Sequence, residues 1–191
     1  MKIVADSNIG REFNRFPLCM PVFKEDFKSD KIQSEDLLNL DKVYLNMVSQ
    51  SVKAKEITGE VEEWVYYHSG PRPMLLIGMG EKAHFTIESI KLMSSFATQI
   101  LTRKKHTGII LRPRVLEEDS YLIPALIEGL FAGNYQFREL KGNNKNSKQN
   151  QVKPQLNKVL LLLSQPSENA SELIEYGIAV SESQNFARDS V

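Results

Sequence analysis

The sequence contains little of what most simple functional assignments require. There is one cysteine, Cys19, so an internal disulfide and a zinc site built from a cysteine cluster are both excluded. Lys plus Arg (24) equals Asp plus Glu (24), so no overall charge draws the chain to nucleic acid or to an anionic membrane. No apolar run approaches the roughly 20 residues that a membrane helix needs. The first residues lack the long apolar centre of a signal peptide, and we therefore expect a cytoplasmic protein.

What is present is ordinary for a globular α/β protein. The 191 residues are 41% hydrophobic and 25% charged, enough for one domain with a real core. There is no internal repeat and no second apolar core. We therefore expect a single domain over residues 1–191.

The clearest element is a helix that leads into the segment Glu128–Lys141, EGLFAGNYQFRELK. Asp119 or Ser120 can cap its start, Pro124 suits its first turn, and Gly129 indicates close approach of another backbone. Gly133–Asn134 is predicted to end the helix in a left-handed cap. The apolar face comprises Leu122, Ile123, Leu126, Ile127, Leu130 and Phe131.

Apolar runs on either side of this helix predict a βαβ unit. Gly108–Pro113 precedes it and Val159–Leu163 follows it, and parallel strands need such a crossover. Met74–Met79 reads as a third strand buried on both faces. The sequence therefore predicts an α/β fold of three layers, α/β/α, with a mixed, largely parallel central sheet.

Weaker patterns complete the prediction. The early strand candidates are expected to form a meander that leads into the parallel core; they are Ile3–Ala5, Cys19–Phe23, Val43–Val48 and Glu60–Tyr67. Thr86–Leu101 has a helical period with Thr86 as its cap, and Ile87 is expected on the inward face. A last helix opens near Ser167 or Asn169 and runs to the end of the sequence.

The turn Gly78–Ala83, a G-x-G-x-x-A between strand and helix, has the position of a dinucleotide fingerprint. The helix starts several residues too late for a pyrophosphate to lie on its N-terminus. The next strand is followed by Arg112 and Pro113 rather than by an acidic residue. A plain tight turn is the better interpretation.

Other reactive side chains form no convincing constellation. The three histidines, His68, His84 and His106, lie near element ends without the spacing of shared metal ligands, and surface positions are expected. The acidic run Glu117–Asp119 follows a strand's carboxyl end but also suits a solvated helix entry. Cys19 has no basic neighbour and reads as a core residue. No catalytic, cofactor-binding or metal-binding residue is therefore assigned.

Residues 141–158 form a polar, basic segment in which Lys141, Lys145, Lys148, Lys153 and Lys158 outnumber acidic side chains. A basic loop can contact phosphates, although aromatic residues that would stack on bases are missing. A solvated loop is the preferred interpretation, and DNA binding is kept as an alternative.

Four segments in order resemble the N-terminal domain of the cytosolic leucyl aminopeptidase family. They are Leu75–Leu101, Glu128–Lys141 with its G-x-Y-x-F exit, Val159–Ser164, and Asn185–Val191, NFARDSV. The resemblance is good from about residue 74 onward and loose over residues 1–60.

The resemblance implies a macro-domain-like fold for a non-catalytic, assembly or regulatory domain. Residues 181–191 would begin a helix that links it to a catalytic domain absent from this sequence. In the family, that catalytic domain is a hydrolase, a metallopeptidase that binds two divalent ions such as zinc or manganese. The resemblance further implies a cytoplasmic homohexamer that removes N-terminal amino acids, with leucine preferred.

From this resemblance we expect the chain alone to be inactive as an aminopeptidase. The partners it implies are the catalytic domain of the same polypeptide and further copies of the chain. Two alternatives remain open at this point. One is a macro-like module that binds ADP-ribose or a related nucleotide, and the other is DNA binding through residues 141–158.

Overall fold

The computed structural model describes residues 1–135 and 155–189 and shows a six-stranded sheet between two layers of helices. Its strands are β1 (Lys2–Asp6), β2 (Leu18–Val22), β5 (Trp64–Tyr67), β6 (Met74–Gly78), β7 (Gly108–Leu111) and β8 (Lys158–Leu162); β3 (Phe27–Lys28) and β4 (Lys31–Ile32) form a separate small hairpin. The helices are α1 (Glu35–Val43), α2 (Met47–Lys53), α3 (Ile87–Arg103), α4 (Val115–Glu118), α5 (Ile123–Asn134) and α6 (Ala170–Asp189).

The sheet is mixed and mostly parallel, as predicted. Its order is β1-β8-β7-β2-β6-β5, and only β5 runs antiparallel, against β6. β7, α5 and β8 form the expected βαβ unit, with Ile109 opposite Val159. Because the parallel strands are covered on both faces, their sequences are continuous apolar runs.

Successive residues of the strands pack alternately into two separate hydrophobic cores, one on each face of the sheet. On one face Cys19, Leu75, Ile109 and Val159 pack beneath α3, α5 and α6. On the other face Met20, Leu76, Ile110 and Leu160 pack against α1 and α2. The three-layer arrangement follows from this alternation, since successive side chains of a strand point to opposite faces.

Gly129 of α5 explains how closely α3 and α5 pack against each other. A Cβ at this position would collide with Ser94 Oγ and the Lys91 carbonyl of α3. The predicted close approach is therefore confirmed. The predicted left-handed cap at Gly133–Asn134 is wrong, because both residues belong to α5 and Gly133 lies against the Ser95 backbone.

The predicted strand Val43–Val48 is wrong, because this segment joins α1 to α2. Asn46 adopts a left-handed conformation with φ 63°, which interrupts the helical conformation between α1 and α2. The Asp41 carboxylate accepts a hydrogen bond from the Ser49 amide at 3.0 Å and so caps α2. A capping carboxylate eight residues upstream has no simple sequence signature.

The predicted meander is also wrong. β1 and β2 are separated by β8 and β7, and both run parallel to their neighbours. The strand predicted over Glu60–Tyr67 begins only at Trp64. The reason is local: the Glu63 carboxylate accepts hydrogen bonds from the amides of Thr58, Gly59 and Glu60 and holds that segment in a tight loop.

Helix α3 begins as predicted. Thr86 Oγ1 accepts a hydrogen bond from the Ser89 amide, and Ser89 Oγ accepts one from the Thr86 amide. This reciprocal pair satisfies two amides that the helix leaves unbonded. Ile87, predicted to face inward, is instead 58% exposed because it lies in the first turn, beyond the edge of the core. No helix in the described residues is both long enough and apolar enough to cross a membrane.

Candidate functional site

The natural place for a site is the sheet edge where the carboxyl ends of β2, β6 and β7 meet. In open α/β sheets ligands bind in the crevice outside these strand ends. A cavity of about 570 Å³ lies there. Its walls are mostly polar and include Glu25, Asp26, Ser34, Asp36, Lys82, Arg114 and Glu118.

One arginine dominates this cavity. Arg114 Nη2 donates to both carboxylate oxygens of Asp26 at 2.7 Å, and Arg114 Nη1 donates to Ser34 Oγ at 2.6 Å. Asp26 is 8% exposed and also accepts a hydrogen bond from the Phe23 amide. Charge-assisted bonds of this length are strong. The guanidinium therefore ties the turn after β2 to the start of α1 across the strand ends.

Two further ion pairs flank this central contact. Arg112 Nη2 lies 3.2 Å from Asp36 Oδ1, and Lys82 Nζ lies 2.8 Å from Glu118 Oε1. Asp36, Lys82 and Glu118 are considerably more exposed than their counterparts in the Arg114–Asp26 pair, whereas Arg112 is exposed about as much as Arg114. The cations of the crevice are thus matched by carboxylates of the same chain.

The Gly78–Ala83 turn lies beside this cavity, and several of its amides donate to other groups of the chain. The Gly80 amide donates to the Gly59 carbonyl at 2.7 Å, and the Lys82 amide donates to the Glu25 carboxylate at 3.0 Å. Gly80 has φ 78°, which glycine adopts without strain. A carboxylate of the chain lies at an amide that a phosphate would need. The geometry is that of a tight turn.

The acidic run after β7 is held by local contacts. Glu117 accepts hydrogen bonds from the Ser164 amide and hydroxyl at 2.9 Å, and Asp119 accepts one from the Tyr121 amide at 3.0 Å. Glu118 pairs with Lys82 as described above. These carboxylates connect loops at the strand ends and cap a short 3₁₀ turn, which is a structural role.

The structure brings two of the three histidines to one place. His68 packs edge-on against Tyr66, and His106 Nε2 lies 2.6 Å from Tyr66 Oη. Burial, followed by the nearby charges of Lys104 and His68, lowers the pKa of His106. Burial also raises the pKa of the Tyr66 hydroxyl. His84 lies apart and is exposed, as expected, beside Glu81.

Cys19 is a core residue, as predicted. It is fully buried, and that burial raises the pKa of its thiol. A thiol held in its neutral form is a poor nucleophile. Within residues 1–135 and 155–189, no group of three or more His, Cys, Asp or Glu side chains is placed to hold a metal ion.

The basic segment proposed as a DNA-binding loop lies almost entirely outside the described residues, because Lys141, Lys145, Lys148 and Lys153 are not among them. Its last member, Lys158, forms an ion pair with Glu12 at 3.0 Å.

Sequence reasoning missed the ion pairs between residues at the crevice. Asp26 and Arg114 are 88 positions apart, and Asp36 and Arg112 are 76 apart. The only available signal was the pair of arginines directly after a buried strand, since β-strand ends in α/β folds are where polar side chains converge.

Comparison with known proteins gives a consistent result. Residues 21–144 match the pattern of the Cytosol aminopeptidase family, N-terminal domain. The chain is 22% identical over 171 residues to a protein described as a probable cytosol aminopeptidase of Sulfurihydrogenibium sp. (strain YO3AOP1). That match covers 86% of this chain and 33% of the relative.

Solved structures show the same fold. A mutant of tomato leucine aminopeptidase superposes with a TM-score of 0.77 at 14% identity, over 95% of this chain and 36% of that one. The bottromycin maturation enzyme BotP, in complex with Mn, superposes with a TM-score of 0.57 at 13% identity, over 90% of this chain and 30% of that one. The chain thus spans about a third of the length of these proteins.

Proposed function

Because the chain belongs to the cytosol aminopeptidase family through its N-terminal domain, we propose that it is a non-catalytic domain that supports assembly of an aminopeptidase. Residues 1–191 would make up this single domain. The activity itself, metal-dependent removal of N-terminal amino acids with leucine preferred, would reside in a catalytic portion of the same polypeptide.

The observation that carries this proposal is that the charged side chains lining the crevice are paired with one another. Arg114, Asp26 and Ser34 bind one another where a ligand would enter an open α/β sheet. Three of the five N–H groups of Arg114 are donated to Asp26 and Ser34, and its charge is matched by the buried Asp26 carboxylate. The crevice therefore supports a structural role for the domain.

The metal ions implied by the family have no ligand set in the described residues. In the proposal, two divalent ions such as zinc or manganese would belong to the catalytic portion. This chain would supply none of their ligands, and no step of hydrolysis is assigned to its side chains.

Helix α6 is the element through which we propose that the domain connects to the catalytic portion. Its first half is held to the body by buried Ala170, Ile174 and Gly177. Its last turns are held by contacts at the surface, including Tyr135 Oη donating to Asp189 Oδ1 at 2.8 Å. The part after Ser181 would lead toward the catalytic portion.

Within this proposal the full-length protein would assemble as a homohexamer in the cytoplasm, and this domain would be macro-domain-like. Neither alternative function gains support from the described residues: the Gly80 and Lys82 amides of the Gly78–Ala83 turn are bonded within the chain, and only residues 155–158 of the basic segment are described.

A domain replacement tests the assembly role. The first third of the Sulfurihydrogenibium relative would be deleted in one protein and replaced by this chain in another. We expect the deletion to lose its higher oligomers and the replacement to regain them, measured by light scattering. Leucine p-nitroanilide hydrolysis would be followed in parallel. A deletion protein that assembles and hydrolyses like the intact relative would refute the assembly role.

A further inference from the structure

The sheet has an open edge at β5. This strand pairs with β6 on one side, and it is the last strand in the order. The Gly78 amide donates to the Glu63 carbonyl at 2.9 Å. This hydrogen bond determines which residues of β5 point their backbone groups toward β6. In an antiparallel pair alternate residues point their backbone groups toward the partner. Val65 and Tyr67 therefore face β6, while Trp64 and Tyr66 direct their N–H and C=O groups outward.

Natural proteins usually protect such an edge with proline, a bulge or inward-pointing charge. β5 reads Trp-Val-Tyr-Tyr and contains none of these. Within the described part of the chain, no strand pairs with its outer side. Lys104 Nζ lies 4.3 Å from the Tyr66 ring centre and 5.9 Å from that of Trp64.

Apolar surface continues from this edge onto the neighbouring helix. Trp64 is 42% exposed, and Val61 and Leu92 are each 63% exposed. Between the turn before β5 and α3 lies a groove of about 490 Å³, lined by Val61, Ile77, Met79, Leu92, Met93 and Phe96. A contiguous apolar patch of this kind marks an interaction surface.

The charges around the β5 edge would be complementary between two copies of the chain. Glu62, which makes no ion pair with another described residue, lies just before β5. His68 follows the strand, and Lys104 Nζ lies over the Trp64 and Tyr66 rings, nearer to that of Tyr66. A two-fold axis that pairs two β5 strands antiparallel would bring the acidic start of each strand to the basic end of the other. An extended peptide of unrelated sequence would not gain this match.

We propose that two copies of this chain associate through their β5 edges, antiparallel and centred on Val65, to join their sheets. Trp64 would exchange backbone hydrogen bonds with Tyr66 of the partner subunit, and the two rings would lie side by side on the α3 face. Aromatic cross-strand pairs of this kind stabilise sheets. The contact is isologous, so it closes as a dimer and covers the β5 edge of both copies. The inference does not depend on the aminopeptidase assignment.

The first test is the concentration dependence of association of the chain, measured by sedimentation velocity up to about 1 mM, the range that detects weak dimers. We expect a monomer–dimer equilibrium. Trp64→Lys should raise the dissociation constant at least about tenfold. Tyr176→Lys is the matched control, because Tyr176 is 63% exposed on α6, which packs against β1 at the opposite edge of the sheet, and it should change nothing.

A second test reads the geometry directly. With the two-fold axis at Val65, Val65→Cys would face its own copy at the short separation of a non-hydrogen-bonded pair, within reach of a disulfide. Cys19 is buried and does not interfere. Tyr121→Cys is the control, because Tyr121 is 74% exposed and should react faster if collisions alone drive cross-linking.

Rapid cross-linking of Val65→Cys with slow cross-linking of Tyr121→Cys is the expected result. Three outcomes would overturn the proposal: a chain that stays monomeric throughout, a dimer that Trp64→Lys leaves intact, or cross-linking at position 65 no faster than at position 121. Circular dichroism of each variant establishes that it is folded, so that a failed fold is not read as lost association.

Discussion

Arg114 binds Asp26 through both carboxylate oxygens at 2.7 Å, across 88 positions of sequence. This contact joins the segment after β7 to the segment after β2, at the edge where the strands end. The same guanidinium donates to Ser34, the residue that caps α1. The Arg114 side chain thus links the segments on both sides of the crevice and holds the start of α1 in place.

Arg114→Met is predicted to lower the free energy of unfolding by about 3–5 kcal/mol, because it leaves Asp26 buried and without its counter-charge. Arg112→Met is the matched control. Its partner Asp36 has a side chain that is 40% exposed and can be hydrated, so the loss should be below about 1 kcal/mol. Urea denaturation followed by circular dichroism measures both. Equal losses would mean that the Arg114 contact has no special structural role.

Gly129→Ala is predicted to destabilise the fold by about 1–3 kcal/mol, because the new methyl group collides with the α3 backbone at Lys91. This loss opposes the gain of about 1 kcal/mol that alanine normally brings to a helix. Gly10→Ala, where a Cβ meets nothing within 4 Å, should leave stability nearly unchanged. A more stable Gly129→Ala protein would show that α3 and α5 are not in close contact there.

His106 should make the fold sensitive to acid. Burial first, then the charges of Lys104 and His68, lowers its pKa below the ordinary 6.5. The unfolded chain therefore binds this proton at a higher pH than the folded protein. The contribution of His106 to the free energy of unfolding is fully present above pH 6.5. It falls as the pH drops below 6.5, until His106 of the folded protein is protonated as well.

His106→Gln is predicted to reduce this loss of stability, since glutamine keeps a hydrogen-bonding group near Tyr66 but takes up no proton. Thermal melts on both sides of pH 6.5 compare the variant with the parent protein. His84→Gln serves as the control, because the side chain of His84 is 79% exposed. An acid sensitivity that persists in His106→Gln and disappears in His84→Gln would contradict the assignment.

The sequence was sufficient to predict the features that depend on local patterns. The βαβ unit around α5, the Thr86 cap and the close approach at Gly129 each follow from periodicity or from a single residue's conformational preference. The family resemblance, built on segments from Leu75 onward, is confirmed by the match over residues 21–144 and by the shared fold.

The features that the sequence could not supply depend on long-range contacts. The break at Asn46 is stabilised by Asp41, and the late start of β5 by the Glu63 carboxylate folding back on three amides. The crevice required knowing that Asp26 and Arg114 meet. Local apolar patterns carry no information on such pairings, because charged residues near strand ends resemble any solvated loop.

The most direct test of the account is an aminopeptidase assay on the chain by itself. The purified protein, shown to be free of host peptidase, would be incubated with leucine p-nitroanilide and added manganese or zinc. Hydrolysis by two metal ions needs several carboxylates that converge on ions about 3.5–4 Å apart. We predict a rate equal to the buffer blank at every metal concentration. Metal-dependent release of p-nitroaniline that co-purifies with the chain would contradict its assignment as a non-catalytic domain.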